Sequence, residues 1–168
     1  LLSGESDVAR EAAQALVRVG DVTSLDVLAE ALHSPRPEVR ALATYSLGAT
    51  GRLLALAPLR DALARALDDG EQELARETVR ALGRLGRAEA VPALAGVLER
   101  GGIFRRKRLR DVQLSALSAL AHLPGPAAEE ALAQVARGRD RRLREAAAAA
   151  LRRQTLEAIA ARRPQDPA

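Results

Sequence analysis

The sequence predicts an all-α solenoid, a right-handed superhelical stack of four to five helical hairpins. Three observations predict it. Ala, Leu, Arg and Glu dominate the 168 residues, all of them strong helix formers, and no run of alternating β-branched residues is present to make a strand. A unit of apolar residue, small residue and Leu at i, i+4 and i+8 recurs, with Leu16, Leu47, Leu82, Leu120 and Leu151 separated by 31, 35, 38 and 31 residues. Gly and Pro punctuate the chain between these units.

Taken in order, a helix over 6–19 carries Val8, Ala12 and Leu16 and stops at Gly20-Asp21. A helix over 22–33 presents Leu25, Leu28 and Leu32, and Ser34-Pro35-Arg36-Pro37 ends it while Pro37 opens the next, 37–49, with Val39, Ala43 and Leu47. Gly51 separates this from 56–68 (Leu59, Leu63, Leu67), and Asp69-Gly70 leads into 71–85 (Leu74, Thr78, Leu82). Beyond Gly86 come 88–99 (Val91, Leu94, Leu98) and, across Gly101-Gly102, 107–122 (Val112, Ala116, Leu120). Pro124-Gly125-Pro126 starts 127–137 (Ala128, Leu132, Val135), and Gly138 precedes 140–162 (Leu143, Ala147, Leu151). The i, i+4, i+8 spacing places each trio on one helix stripe, where the small middle residue admits a neighbouring helix. No single hairpin buries its stripe alone, so the core is continuous between stacked neighbours.

Leu1-Leu2-Ser3-Gly4 reads as the tail of a helix whose beginning is missing, and a chain that begins with Leu reads as the C-terminal part of a longer protein. Residues 1–163 are expected to form one array, with 164–168 a disordered end. The absence of Cys excludes disulfides, thiolate metal sites and cysteine nucleophiles. No stretch approaches the roughly 18 apolar residues that a membrane span requires, and no secretory signal opens the chain. A cytoplasmic protein with no membrane contact is expected. The net charge of +4 is uneven: residues 1–99 hold 11 basic and 15 acidic side chains, residues 100–168 hold 15 and 7.

Pro37-Glu38-Val39-Arg40-Ala41-Leu42-Ala43 with Leu47-Gly48, and Leu143-Arg144-Glu145-Ala146-Ala147 with Leu151, resemble the second helix of HEAT repeats, including the bacterial phycobilisome-lyase-like subgroup. The Arg of that family's Val-Arg pair stands at Arg40 and Arg144, whereas Ala9, Ala75 and Gln113 occupy the equivalent places, so a ladder of Asp and Arg between repeats is expected to be incomplete. The resemblance implies that the second helix of each hairpin lines a concave side. It also implies a scaffold or adaptor role, and by family likeness alone an accessory or lyase-type role in cofactor attachment.

On the exposed stripe of those second helices stand Asp7, Glu11, Gln14 and Arg18, then Glu38, Leu42, Tyr45 and Ala49, then Glu73, Glu77, Arg80 and Arg84. Asp111, Ser115, Ser118 and His122 follow, and then Arg142, Ala146, Ala149 and Arg153. Tyr45, Leu42, Arg80, Arg84, Ser118 and His122 are the candidates for a protein partner, with Tyr45 either an aromatic anchor or a cover for the neighbouring repeat. Asp111, Ser118 and His122 do not make a triad, because Asp111 lies about 16 Å along the axis from His122 at 1.5 Å per residue. No catalytic residue, metal site or cofactor is expected.

Residues 100–110 contain six basic side chains and no acid, and this segment lengthens one repeat to 38. Arg100, Arg105, Arg106, Lys107, Arg108 and Arg110, together with Arg141 and Arg142 of a second cluster at 137–144, are candidates for nucleic acid or another polyanion. The competing reading is a long turn in which Phe104 plugs a gap between hairpins.

Overall fold

The computed structural model describes residues 2–100 and 106–161. Among them are nine α-helices and no strand: α1 (Leu2–Val19), α2 (Val22–Ala31), α3 (Pro37–Ala49), α4 (Leu56–Asp69), α5 (Gln72–Arg84), α6 (Val91–Glu99), α7 (Arg106–Leu120), α8 (Pro126–Ala136) and α9 (Arg141–Ala161). Short 3-10 turns, Leu53–Ala55 and Ala88–Ala90, lead into α4 and α6, so the second of these takes the first turn of the helix expected from 88. Each even helix packs against the odd helix that follows it, which makes four hairpins with α1 standing before them as an additional odd helix. The expected end at 164–168 and the segment from Gly101 to Arg105, with Phe104, lie outside the described residues.

Two expectations need correction at α1. Leu2, Ser3 and Gly4 are not the tail of a separate helix, because α1 runs unbroken from Leu2 through Gly4. The stripe of Val8, Ala12 and Leu16 is not core either: Val8 is 67% exposed, Ala12 is exposed and Leu16 is half-buried, while Ala13 is buried. The physical reason lies in the pairing. α3, α5, α7 and α9 each pack on the preceding even helix of their own hairpin, and among the described residues α1 has no such partner.

In the remaining repeats the predicted stripes enter the core, apart from the half-buried Val39. Leu47, Leu82 and Leu120 on the odd helices and Leu59, Leu94 and Leu132 on the even ones are fully buried. Thr78, at the small middle position of α5, is also fully buried, and its hydroxyl donates to the Leu74 carbonyl at 2.7 Å, so that no polar group is stranded.

The odd helices approach each other closely. A Cβ placed on Gly48 of α3 would meet Ala81 of α5 at 2.7 Å from its Cα and 2.8 Å from its carbonyl oxygen, and one on Gly83 of α5 would meet Ala119 of α7 at 2.9 Å from its Cβ. Each of these glycines follows an anchor Leu, so the Leu fills the core while the next position lets two backbones meet. Gly70, at φ 75° after α4, supplies the left-handed turn that allows the Glu71 N–H to reach the Ala66 carbonyl at 2.8 Å.

Polar clamps hold successive repeats in register. Arg40 donates to the Ser34 and Pro35 carbonyls at 3.0 and 3.3 Å and pairs with Glu71 of the next repeat at 2.8 Å. Gln113 stands where the family pattern would place an Arg, and its buried amide takes over the first of those tasks, lying 3.3–3.4 Å from the carbonyls of Val97, Leu98 and Arg100. Arg87 donates to the Gly51 carbonyl through two nitrogens, at 2.9 and 3.1 Å. Arg144, equivalent to Arg40, is exposed, because α9 is the last described helix and offers it no following repeat to clamp. At the start of α2, Asp21 accepts from the Ser24 N–H at 2.7 Å. Its hydrogen bonds to Ser24, with a smaller contribution from the nearby Arg52, hold the Asp21 carboxyl below its ordinary pKa.

Two predictions follow from this packing. Gly48→Ala should destabilise the chain by about 1–3 kcal/mol, since the clash is with backbone. Gly96→Ala, at a helical position where a Cβ meets nothing within 4 Å, should stabilise it by about 0.5–1 kcal/mol. Urea unfolding midpoints check both, and a neutral Gly48→Ala would contradict the close approach. For Asp21 the folded-state pKa is depressed, so its charge contributes stability above the unfolded carboxylate range, and that contribution disappears as pH falls through the folded value. The gap in thermal midpoint between the parent chain and Asp21→Asn should therefore be constant near neutrality and close in acid. A gap independent of pH would contradict the assignment.

Candidate interaction face

The odd helices form the tighter layer. α1 packs on α3, α3 on α5, α5 on α7 and α7 on α9, whereas the even helices touch one another less, so the array bends around the odd layer. These helices run parallel, since Arg40 meets Glu71 at one end of α3 and α5 while Gly48 meets Ala81 near the other. Every residue of the predicted outer stripe, from Asp7 on α1 to Arg153 on α9, is exposed or half-buried.

Two neighbouring clefts open on this face. Between α3 and α5 a cleft of about 980 Å³ is lined by Tyr45, Arg40, Glu73, Glu77 and Arg80 among others. Between α5 and α7 a second, of about 640 Å³, has a floor of Gly83, Leu114 and Ala119 and walls of Arg80, Arg84, Ser115, Ser118 and His122. The small floor residues are those that permit the close approach of α5 and α7, so depth of the cleft and packing of the layer have one cause. Arg80 belongs to both clefts.

Tyr45, 52% exposed, stands on the wall of the α3–α5 cleft. The guanidinium of Arg84 lies over its ring, 4.3 Å from the centroid, and the same side chain pairs with Glu77 at 2.8 Å. Glu77 also takes Arg80 at 3.4 Å. One ring face is thus covered from the neighbouring repeat while half of the side chain remains open to solvent. Leu42 packs partly buried against the core and lines neither cleft, so it is not grouped with the other candidates.

Ser118 and His122 face Arg80 and Arg84 across the second cleft. The imidazole meets Ser118 at its main-chain carbonyl, to which Nδ1 donates at 2.7 Å. This hydrogen bond satisfies a carbonyl of the last helical turn. Among the described residues no group of three His, Cys, Asp or Glu could hold a metal ion, and no helix is long and apolar enough to cross a membrane.

The basic candidates are distributed differently. Arg105 and the side chains of Arg106, Lys107 and Arg108 lie outside the described residues, although Arg106 begins α7. Arg100 pairs with Asp68 at 2.8 Å, Arg141 with Glu145 at 2.8 Å and Arg110 with Asp140 at 3.8 Å. The last pair brings the start of α7 against the start of α9, so Arg110 of the first cluster adjoins the second. Arg142 is exposed. Neither α7 nor α9 has an acidic residue in its first turn, in contrast to Glu38 of α3 and Glu73 of α5, and the helix dipole favours the acidic arrangement. Sequence reasoning missed Gly83, Leu114 and Ala119 as the cleft floor and Glu77 as the link between Arg80 and Arg84. The Leu82-Gly83 pair, a helical glycine behind an anchor Leu, was the available signal for the first.

Residues 1–69 match the family model described as HEAT repeats, and residues 74–100 the one described as PBS lyase HEAT-like repeat. No curated protein sequence matches the chain. Among solved structures, the chain is similar to the crystal structure of an engineered protein from the Northeast Structural Genomics Consortium. The TM-score is 0.53 at 23% identity, with 90% of this chain and 70% of that one covered, and at such identity the likeness concerns the fold.

With one Tyr and no Trp in the chain, ultraviolet emission reports on Tyr45 directly. Arg84→Ala should expose the second face of the ring, raising the acrylamide quenching constant of Tyr45, and should cost about 0.5–1 kcal/mol of stability for the lost cation–π contact. Unchanged quenching would show that Arg84 does not cover the ring in solution.

Proposed function

Because this chain belongs to the HEAT-repeat family, we propose that it is a non-catalytic protein-interaction scaffold whose odd-helix face docks an extended segment of a partner protein. The observation that carries this reading is the pair of adjoining clefts, which share Arg80 and have Tyr45 exposed on the wall of one and a small apolar floor in the other. A partner side chain seated over Gly83 and Ala119 gains apolar contact, while carboxylates beside it meet Arg80 and Arg84 and hydroxyl-seeking groups meet Ser115 and Ser118.

Specific support exists for a second reading, binding of a polyanion at the neighbouring starts of α7 and α9. Arg106 to Arg110 open α7 with no acid in its first turn, and at α9 the capping Asp140 is followed by Arg141, Arg142 and Arg144, so basic residues outnumber acids where the helix dipoles favour acids. The three ion pairs of Arg100, Arg110 and Arg141 are partly exposed and offer weak competition to a phosphate.

One set of titrations tests both. Peptides selected from a random display library on the parent chain should perturb Tyr45 emission, and Ser118→Phe, which fills the second cleft, should weaken them about tenfold or more. Arg141→Ser with Arg142→Ser should leave them unaffected. Failure to select any peptide, or selection of peptides insensitive to Ser118→Phe, would count against the scaffold face. A labelled DNA duplex that binds with a steep salt dependence and is released by the Arg141/Arg142 changes would carry the second reading instead.

A further inference from the structure

On the opposite side of the array the even layer carries its own groove, of about 570 Å³, between α2 and α4. Two of the large hydrophobic residues exposed among the described residues line it, Val22 and Leu54, and their chain neighbours Val19 and Leu53 are exposed too. The turn after α1 and the turn before α4 adjoin there, since a Cβ on Gly20 would lie 3.5 Å from the Arg52 guanidinium. Val22 is 61% and Leu54 62% exposed, although both line the groove. Solvated aliphatics gathered at one place mark an interaction surface more reliably than the same residues scattered.

The groove is graded along its length. Val22 and Leu54 stand at the end where α2 and α4 begin, Asp26, Glu30 and Asp61 follow one to two turns further on, and His33 and Arg65 close the far end. Successive turns of each helix contribute these residues at helical spacing, so the apolar and acidic zones are about 6–12 Å apart at 1.5 Å per residue. Two splayed helices present ridges between which a third helix fits, and a bound helix reads such a groove with anchors three, four and seven residues apart.

We propose that this groove is a second docking site, taking a basic amphipathic helix of a partner protein. Aliphatic side chains of that helix cover Val22 and Leu54, and Lys or Arg one to two turns away meets Asp26, Glu30 and Asp61. The site is separate from the odd-helix face, so the array holds two partners of opposite charge on its two sides.

The test uses the full chain and a labelled synthetic helix with Leu at helical spacing and Lys on its flanks, compared by fluorescence anisotropy with the same helix carrying Glu in place of Lys. The Lys helix should bind and the Glu helix should not. Val22→Ser with Leu54→Ser, and separately Asp26→Asn with Asp61→Asn, should each weaken binding about tenfold. These are solvent-facing positions, and unchanged circular dichroism confirms that the fold is intact. Tyr45→Ala with Arg84→Ala should have no effect. The proposal is overturned if neither helix binds, if both bind alike, or if binding survives the groove changes. Loss of the Lys helix in the Tyr45/Arg84 variant would overturn it too. Self-association of the parent chain in sedimentation that Val22→Ser with Leu54→Ser abolishes would make a second copy the occupant, presented by Arg152, Arg153 and the exposed Leu156 of α9, and would equally overturn a heterologous partner.

Discussion

The contact on which the rest of the structure depends is the backbone-to-backbone approach within the odd layer, where Gly48 of α3 lies against Ala81 of α5 and Gly83 of α5 against Ala119 of α7. Larger side chains at these points would push the odd helices apart and straighten the array. Small ones leave the even helices as the splayed layer and give the molecule two unlike sides. The same choice sets the depth of the cleft above Gly83 and Ala119, so the surface available to a partner is a by-product of how the repeats stack. Aliphatics of moderate size suit this design: with no Trp or Met and one residue each of Tyr and Phe, the chain fills its interior with Leu, Val and Ala held at short range.

Charge follows a local rule that becomes collective. Within α3 and α5 acidic residues stand in the first turn and, in α5, a basic one in the last, as each helix dipole favours. Because the odd helices are parallel, those separate choices add up to bands across the face, with Arg80 and Arg84 on one side of it. The rule weakens at α7 and α9, whose first turns hold basic residues and no acid. An Arg at the N-terminal end of a helix adds repulsion there instead of relieving it. Asp140 partly offsets this, since it caps α9 by accepting from the N–H groups of Arg142 and Leu143 and also pairs with Arg110.

The hairpin order and most of the buried stripes of α3, α5, α7 and α9 were legible because the i, i+4, i+8 spacing carries its own geometry, because Pro37 and Pro126 carry a φ preset for a first helical turn, and because Gly70 adopts a left-handed conformation that other residues adopt poorly. The exposure of Val8 was not legible. Its stripe is written like the others, and burial depends on a neighbouring helix that the stripe itself cannot specify. The outer stripe gave Tyr45, Arg80, Arg84, Ser118 and His122 correctly as surface residues, but not the cleft, whose floor comes from two helices 36 residues apart at Gly83 and Ala119. Gln113 shows the same limit. As a departure from the family's Arg it reads as a missing clamp, yet the amide reaches three carbonyls at the end of α6 and keeps the joint closed. The apolar end of the groove between α2 and α4 left little periodic trace, since Leu54 sits in a 3-10 turn outside both helix patterns.

The most direct test of the docking account is a map of backbone amide chemical shifts for the isotopically labelled chain, recorded as a display-selected peptide is added to saturation. The account predicts that the largest changes fall on Tyr45, Gly83, Arg84, Ser118 and His122, along the α3, α5 and α7 side of the array. Changes centred instead on the starts of α7 and α9, or spread evenly over both layers, would contradict it.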